Sequence, residues 1–274
     1  MIKRLIKRHV PPTFVRIYRK SYNIIVPILY FLKKENKRHL YAGIPLTVYI
    51  YDPVSALWYD HDVDRYEIKF LERYNLKEGA TVFNIGAHHG VIALILAKIM
   101  GKTGLVVAAE MNANHVGAAK INKRNNKASN LRIIHAAASE KRGTVFYSAD
   151  QILKENVHDR NVTKIESVTV DELTQIYGQP SVLYIDVEGY EYRVLRGARK
   201  TIRKYTPDCC IEVHVNQGLE NFDGTIEKIV SFFPQNQYSL FMAPAIDKCH
   251  FTRFRYRSKI TNNRFYLVTV ARDE

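Results

Sequence analysis

Short apolar runs recur along the chain at 80–85, 105–109, 131–137, 182–187, 209–215, 238–242 and 265–270, each bounded by polar or glycine-bearing residues. That pattern predicts buried strands. Between several of them the period changes. Val91–Met100 is almost wholly apolar, which suits a helix pressed onto a sheet, and 190–205 carries Val194, Leu195, Ala198, Ile202 and Tyr205 at helical spacing. Arg193, Arg196, Arg199, Lys200, Arg203 and Lys204 fall elsewhere on that helix, so it is amphipathic. Strands alternating with helices predict an α/β fold with a mostly parallel sheet and helices on both faces. The last two runs are joined by a polar, basic stretch, 247–264, with no helical pattern, and are expected to pair antiparallel at a sheet edge. No internal repeat or low-complexity linker interrupts this rhythm.

Composition changes the picture at the N-terminus. The 274 residues are 46% hydrophobic and 25% charged, enough to bury one large core. Lys and Arg outnumber Asp and Glu 41 to 27, a formal charge of +14, and residues 1–40 hold 11 basic side chains and 1 acidic one. The body is close to neutral; the arm is not. Within the arm, Ile24-Ile25-Val26-Pro27-Ile28-Leu29-Tyr30-Phe31-Leu32 lies between Arg19-Lys20 and Lys33-Lys34. The run is too short to span a bilayer, Pro27 interrupts it, and no signal-peptide cleavage site follows. Two readings stand: a segment lying on an anionic membrane surface through residues 1–40, or a helical cap over the body of the chain with a solvated basic face. Residues 1–60 are assigned to this arm or cap and 61–274 to the body.

The three cysteines, Cys209, Cys210 and Cys249, are odd in number and two are adjacent, which argues against a disulfide and for a reducing, cytoplasmic setting. Neither the Cys249-His250 pair nor Cys209-Cys210 with His214 matches a paired zinc-ligand spacing. No metal ligands are assigned.

The most specific chemistry lies in Val82-Phe83-Asn84-Ile85-Gly86-Ala87-His88-His89-Gly90, where a strand meets a glycine turn and a helix begins. Glycine permits sharp angles and close ligand approach, and a helix N-terminus offers free N–H donors. The Asn84-x-Gly86-x-x-x-Gly90 spacing lacks the third glycine of a dinucleotide fingerprint. It fits the looser turn of S-adenosylmethionine enzymes. The next strand ends on Glu110, placed to accept two ribose hydroxyls. Farther on, a strand runs into Asp186 and Glu188 before Gly189, and another ends with Glu212 and His214. In open parallel sheets ligands bind beyond the carboxyl ends of the strands. Acids and a histidine on neighbouring strand ends point to a site, since a buried carboxylate costs several kcal/mol unless paired.

These residues carry a resemblance. Asn84-Ile85-Gly86-Ala87-His88-His89-Gly90, Glu110 followed by Asn114, Asn122 and Asn125, His135-Ala136-Ala137, Val168-Thr169-Val170-Asp171-Glu172-Leu173, Tyr184-Ile185-Asp186-Val187-Glu188-Gly189-Tyr190-Glu191, Val194-Leu195-Arg196-Gly197-Ala198, and Pro207 with Ile211-Glu212-Val213-His214 resemble the ordered motifs of the FkbM family of S-adenosylmethionine-dependent methyltransferases, from about residue 80 to 216. The resemblance implies a class I, Rossmann-like methyltransferase fold, with a seven-stranded sheet containing one antiparallel strand. It also implies O-methylation of a hydroxyl, often on a sugar or polyketide-derived acceptor. Asn84 stands where family members commonly carry Asp, which removes a negative charge near the cofactor's amine.

Residue roles follow from the resemblance. Asn84, Gly86, Ala87, His88 and Gly90 would surround the methionyl part of S-adenosylmethionine, Glu110 would hold the ribose, and Ala137 would border the adenine. Asp186 would lie nearest the methyl group, with Glu188, His214 and His88 as candidate bases. The acceptor is expected to be a small molecule or glycan. Other classes stay open. A nicotinamide oxidoreductase would share the alternating pattern, and a nucleic-acid methyltransferase would use the basic arm, although no Asn-Pro-Pro-Tyr-like strand end or aromatic stacking platform accompanies it. A non-catalytic nucleotide-binding or membrane-binding module is the third alternative.

Overall fold

All seven apolar runs become strands, and they lie side by side in one sheet. The computed structural model describes residues 36–148, 151–153, 162–246, 249–255 and 263–272. Residues 1–35, which hold most of the expected basic arm, lie outside the described residues.

In chain order the described elements begin with the hairpin β1 (Asn36–Tyr41) and β2 (Ile44–Tyr49) and the short helices α1 (Pro53–Tyr59) and α2 (Tyr66–Leu71). The alternating core starts with β3 (Thr81–Ile85), α3 (Val91–Met100), β4 (Leu105–Glu110), α4 (Ala113–Asn125) and β5 (Leu131–His135). A side excursion follows: β6 (Ala137–Ala138), β7 (Gly143–Ser148), β8 (Gln151–Ile152) and β9 (Thr163–Val168). The core resumes with α5 (Val170–Tyr177), β10 (Val182–Ile185), α6 (Glu191–Gly197), α7 (Arg199–Tyr205), β11 (Asp208–His214) and α8 (Ile226–Val230). It ends with β12 (Tyr238–Pro244), β13 (Thr252–Arg253) and β14 (Arg264–Ala271).

The main sheet has the order β13-β12-β14-β11-β10-β3-β4-β5. Strands β11, β10, β3, β4 and β5 are mutually parallel, and β14 runs antiparallel between β11 and β12. The architecture is that of a class I methyltransferase-like α/β fold. The sheet has eight strands rather than the expected seven, because the two-residue β13 adds to the outer edge of β12. The two last runs pair antiparallel as expected, with β14 inserted inside β12 instead of capping the edge.

Alternation along the strands builds two cores, since successive side chains leave opposite faces. Val82, Val106, Val182, Cys210 and Val268 face one side, where they meet Val91, Leu94 and Ile95 of α3. Phe83, Val107, Leu183, Cys209 and Leu267 face the other, against Leu173 of α5, Val194 and Leu195 of α6 and Ile202 of α7. Cys209, Cys210 and Cys249 are unbridged and buried, where burial pushes their thiols up and they pack as small apolar groups.

Three expectations are corrected. The part of the expected helical arm that is described, 36–60, forms a strand hairpin and one short helix, and Tyr41, Leu46, Val48 and Tyr59 enter the first core. Asn122 of α4 ties it down: its side chain accepts the Tyr49 N–H and donates to the Tyr49 and His89 carbonyls. The run 131–137 divides at Ala136, whose N–H goes to the Glu110 carbonyl; Ala137 and Ala138 then pair with β9 in a second sheet, ordered β6-β9-β7-β8. The helix over 190–205 breaks at Ala198 because Asp171 accepts the Lys200 and Thr201 amides and restarts it. A Cβ on Gly197 would fall 2.0 Å from the Ser139 carbonyl oxygen, so the helix is in close contact there with the segment just after β6.

Candidate active site

The parallel order puts the carboxyl ends of β11, β10, β3 and β4 next to one another. Beyond them opens a cleft of about 370 Å³. Gly86, His88, Glu110, Ala137, Asp186 and Glu188 line it, as the sequence expects. Asn84, Ala87, Gly90 and His214 are buried behind its wall. The sequence did not point to Trp58, Tyr59, Arg65 and Glu67 from the α1–α2 region, or to Arg264 and Tyr266 of β14, and all of these line the cleft.

The glycine turn is held from within. The amides of Gly86 and Ala87 donate to the Ala109 carbonyl, and that of His88 donates to Glu110 Oε2 at 2.7 Å. These three amides therefore do not form a phosphate cradle, which removes the main attraction of a dinucleotide at this turn. Gly86 has φ +84, and a Cβ there would lie 1.7 Å from the Asp186 carbonyl oxygen. Glycine is required because the end of β3 and the turn after β10 touch. Gly90 has φ +75 and its Cβ would meet Ala119 Cβ at 3.0 Å, so its need for glycine arises from packing on α4 and from the turn itself, not from the cleft surface.

Glu110 ends β4 with both carboxylate oxygens in use: Oε2 takes the His88 amide, and Oε1 takes the Asn112 amide at 2.8 Å. Burial would raise this carboxyl, but His115 and these two amides hold it below the ordinary carboxylate range. It stays charged, with lone pairs left for a diol. Asn84 is 1% exposed and its Oδ1 has no hydrogen-bond partner, an orphan acceptor beside the turn that suits a cationic amine. The donor set thus fits S-adenosylmethionine: a fixed carboxylate for ribose hydroxyls, an unpaired acceptor for an ammonium, and a glycine turn with no phosphate cradle.

His88, His89 and His115 cluster beside Glu110. The Tyr51 N–H donates to His89 Nε2, which places the His89 proton on Nδ1, 3.1 Å from His88 Nδ1. The Tyr59 hydroxyl lies 3.0 Å from the same His88 nitrogen. Burial and the neighbouring rings push His88 down to about 2 and His89 to about 3. His88 is therefore a neutral ring with its Nδ1 lone pair occupied, a poor proton acceptor.

On the other side of the turn, β10 stops at Ile185, and Asp186 and Glu188 sit in the loop that follows, Glu188 at φ +50 and Gly189 at φ +101. The Asp186 side chain is 32% exposed although its Oδ1 is buried without a partner. Burial and the Glu212 carboxylate push Asp186 well above the ordinary carboxylate range, with His214 opposing. His214 is fully buried, with Nδ1 2.8 Å from Glu191 Oε1 and Nε2 3.4 Å from Glu188 Oε2. Despite burial, Glu191, Asp186 and Glu188 push His214 up to about 9. Glu212 takes the Arg264 guanidinium, with Nε at 2.7 Å. Behind them, the Tyr184 hydroxyl donates to the buried Glu67 at 3.1 Å.

Known proteins match the span that holds the strand-end acids and His214, while Glu67 and Arg264 lie outside it. The family described as "Methyltransferase FkbM domain" matches residues 84–240, more than half of the chain. The family described as protein-L-isoaspartate(D-aspartate) O-methyltransferase matches residues 24–141. Among solved structures, the methyltransferase FkbM from Methylobacillus flagellatus KT is similar at 18% identity and a TM-score of 0.48, over 69% of this chain and 43% of that one. This chain thus spans less than half the length of that protein. The precorrin-6y C5,15-methyltransferase from Geobacter metallireducens GS-15 is similar at 13% identity and a TM-score of 0.46, over 77% of this chain and 89% of that one. For an S-adenosylmethionine-dependent O-methyltransferase from Thermotoga maritima the values are 11%, 0.44, 88% and 80%.

Proposed function

This chain belongs to the FkbM methyltransferase family, and from that premise we propose that it transfers a methyl group from S-adenosylmethionine to a hydroxyl of a sugar, glycan or other small polar acceptor. The observation that carries the reading is the arrangement of strand-end acids around one cleft: a carboxylate kept low at Glu110 and a carboxyl pushed up at Asp186. Two acids driven in opposite directions by their surroundings mark different jobs.

Glu110 binds the ribose diol through the lone pairs that its two amide contacts leave open. Asn84 Oδ1 is an unpaired acceptor behind the turn, and it meets the cofactor's amine if binding shifts that turn. When bound, S-adenosylmethionine supplies a methyl group already activated by a sulfonium, so in-line placement of the acceptor provides much of the rate. Asp186 supplies the rest: Oδ1 is buried, so the exposed face of the carboxyl is Oδ2, and its raised proton affinity suits it to take the proton that the acceptor hydroxyl gives up. His214 stands behind Asp186 and Glu188, its Nε2 3.9 Å from Asp186 Oδ1 and 3.4 Å from Glu188 Oε2. On the acceptor side, Trp58 at 47% exposure and Leu57 at 73% stand at the cleft mouth. An aromatic face next to carboxylates and arginines suits a hydroxyl-rich ring.

Among the described residues no helix is long and apolar enough to cross a membrane. Peripheral attachment through residues 1–40 to an anionic membrane is part of the proposal, and its test is salt-sensitive flotation with anionic vesicles. The function itself is tested by calorimetric titration with S-adenosylmethionine, S-adenosylhomocysteine and NADH. Binding of the first two, absent for NADH and weakened in Glu110→Ala, supports the reading. NADH binding alone, or no binding to a folded protein, refutes it.

A further inference from the structure

His214 presents an anomaly that methyl transfer does not need. Its side chain is 0% exposed and its Nε2 makes no hydrogen bond, yet that nitrogen points at two carboxylates, Glu188 Oε2 at 3.4 Å and Asp186 Oδ1 at 3.9 Å. Asp186 Oδ1 is likewise buried and without a partner. The three atoms lie within 4.8 Å of one another.

We propose that Asp186 Oδ1, Glu188 Oε2 and His214 Nε2 form a divalent-cation site at the acceptor end of the cleft. With bonds of about 2.1 Å, neighbouring ligands of one ion stand roughly 3.0 Å apart and opposed ones about 4.2 Å. The two distances from His214 Nε2, 3.4 and 3.9 Å, fall within that range and the third separation is no more than 4.8 Å, so closure onto an ion needs only small side-chain movement. The rest of the cluster is arranged as a ligand support. Glu191 Oε1 accepts from His214 Nδ1 at 2.8 Å and from the Gly189 amide at the same distance, both partners being buried. That carboxylate–histidine pair fixes the ring and directs its Nε2, as outer partners of metal-bound histidines do. Glu212 is already engaged by Arg264, which leaves it out of the ligand set. Asp186, Glu188, Glu191 and Glu212 all approach His214, and Glu212 also pairs with Arg264; a divalent ion takes the place of the proton that these carboxylates draw onto the ring.

One imidazole and two carboxylates suit Mn²⁺, Zn²⁺ or Co²⁺ better than Ca²⁺, which takes oxygen ligands throughout. Asp186 and Glu188 line the cleft, so the remaining coordination positions open towards the acceptor. Resting on the methyltransferase reading, the ion's role is to bind the acceptor oxygen and make its hydroxyl more acidic, while Asp186 Oδ2 receives the proton.

The test uses the full chain stripped with a chelator and titrated with Mn²⁺ alone, the free ion being followed by electron paramagnetic resonance. One ion bound per chain, with affinity lowered about tenfold or more in both Glu188→Gln and Asp186→Asn, is the expected result. No uptake by folded wild-type protein, or uptake unchanged in both variants, overturns the site. Circular dichroism checks that the two near-isosteric variants fold. Titration of the same preparation with S-adenosylhomocysteine separates the two readings: cofactor binding without Mn²⁺ uptake removes only the metal site, and Mn²⁺ uptake without cofactor binding removes only the methyltransferase.

Discussion

Replacing Glu110 tests the cofactor side of the cleft most sharply, because the structure gives this carboxylate two separable jobs. It accepts the amides of His88 and Asn112, and in the proposed function it also accepts two ribose hydroxyls. Hydrogen bonds to a charged group contribute about 1.5–3 kcal/mol each. Glu110→Ala removes both ribose contacts, about 3–6 kcal/mol, and at 1.4 kcal/mol per decade S-adenosylhomocysteine affinity falls roughly 10²–10⁴-fold. Glu110→Gln keeps the shape and one acceptor oxygen, so the loss is about half as large in free energy, roughly 10–100-fold. Its NH₂ group must then face one of the two backbone amides, stranding a buried donor at a cost of about 1–3 kcal/mol in stability. Calorimetric titration and thermal denaturation separate the two effects. The pH dependence adds a third reading. Because the folded-state carboxyl is held below its ordinary 4.5, its contribution to stability is present above that value and is lost as pH falls through the lower folded value. Glu110→Gln should remove that acid-side slope. If both variants bind within about threefold of wild type and keep its acid profile, well short of a single charged hydrogen bond, the assignment of Glu110 is wrong.

Other expectations follow from the same geometry. Asp186→Asn should lower kcat by about 10²–10⁴-fold if the carboxyl takes the acceptor proton, with cofactor affinity little changed; a kcat within a few-fold of wild type would remove it as base. Gly86→Ala places a methyl 1.7 Å from the Asp186 carbonyl oxygen at φ +84, so denaturant melts should show a loss beyond about 3 kcal/mol, and near-native stability would mean that β3 and the turn after β10 are not in contact. Asn84→Asp restores the acid that family members commonly carry. It should tighten S-adenosylhomocysteine binding by about tenfold while lowering the melting temperature of the cofactor-free protein, since a charge is buried at an unpaired position; no change in either measurement would place Asn84 away from the amine. Trp58→Ala should raise acceptor KM with kcat and cofactor affinity intact, and an unaltered KM would take the acceptor away from that wall.

Much of the site was legible because the sheet rule converts order into position. Once the runs at 80–85, 105–109, 182–187 and 209–215 are parallel neighbours, Asn84, Glu110, Asp186 and His214 fall on one rim whatever the details of their turns. The rule says nothing about depth, and so Asn84 and His214, read as cleft residues, lie behind the wall. Gly90 shows the same limit: sequence marks a glycine without telling ligand approach from the contact with Ala119 that requires it. The Thr169-Val170-Asp171-Glu172 motif serves structure, Thr169 and Glu172 capping α5 reciprocally while Asp171 starts α7. The second sheet was missed because β9 is mostly polar and β7 carries only the three-residue run Val145-Phe146-Tyr147, with one residue of each strand buried. Arg65, Glu67 and His115 come from segments with no strand-end signal. Arg264 was missed because the expected hairpin pairs 265–270 only with 238–242, whereas β14 also lies against β11 and so sets Arg264 opposite His214 in register.

The insertion of β14 between β11 and β12 sets when the sheet can be completed. A ribosome releases β11 and β12 well before the strand that must lie between them, so the growing chain holds two open edges and an unfinished wall to the cleft. Arg264 and Tyr266 arrive with β14 and close that wall, so the nascent protein cannot acquire its acceptor side until residues 264–271 have left the exit tunnel.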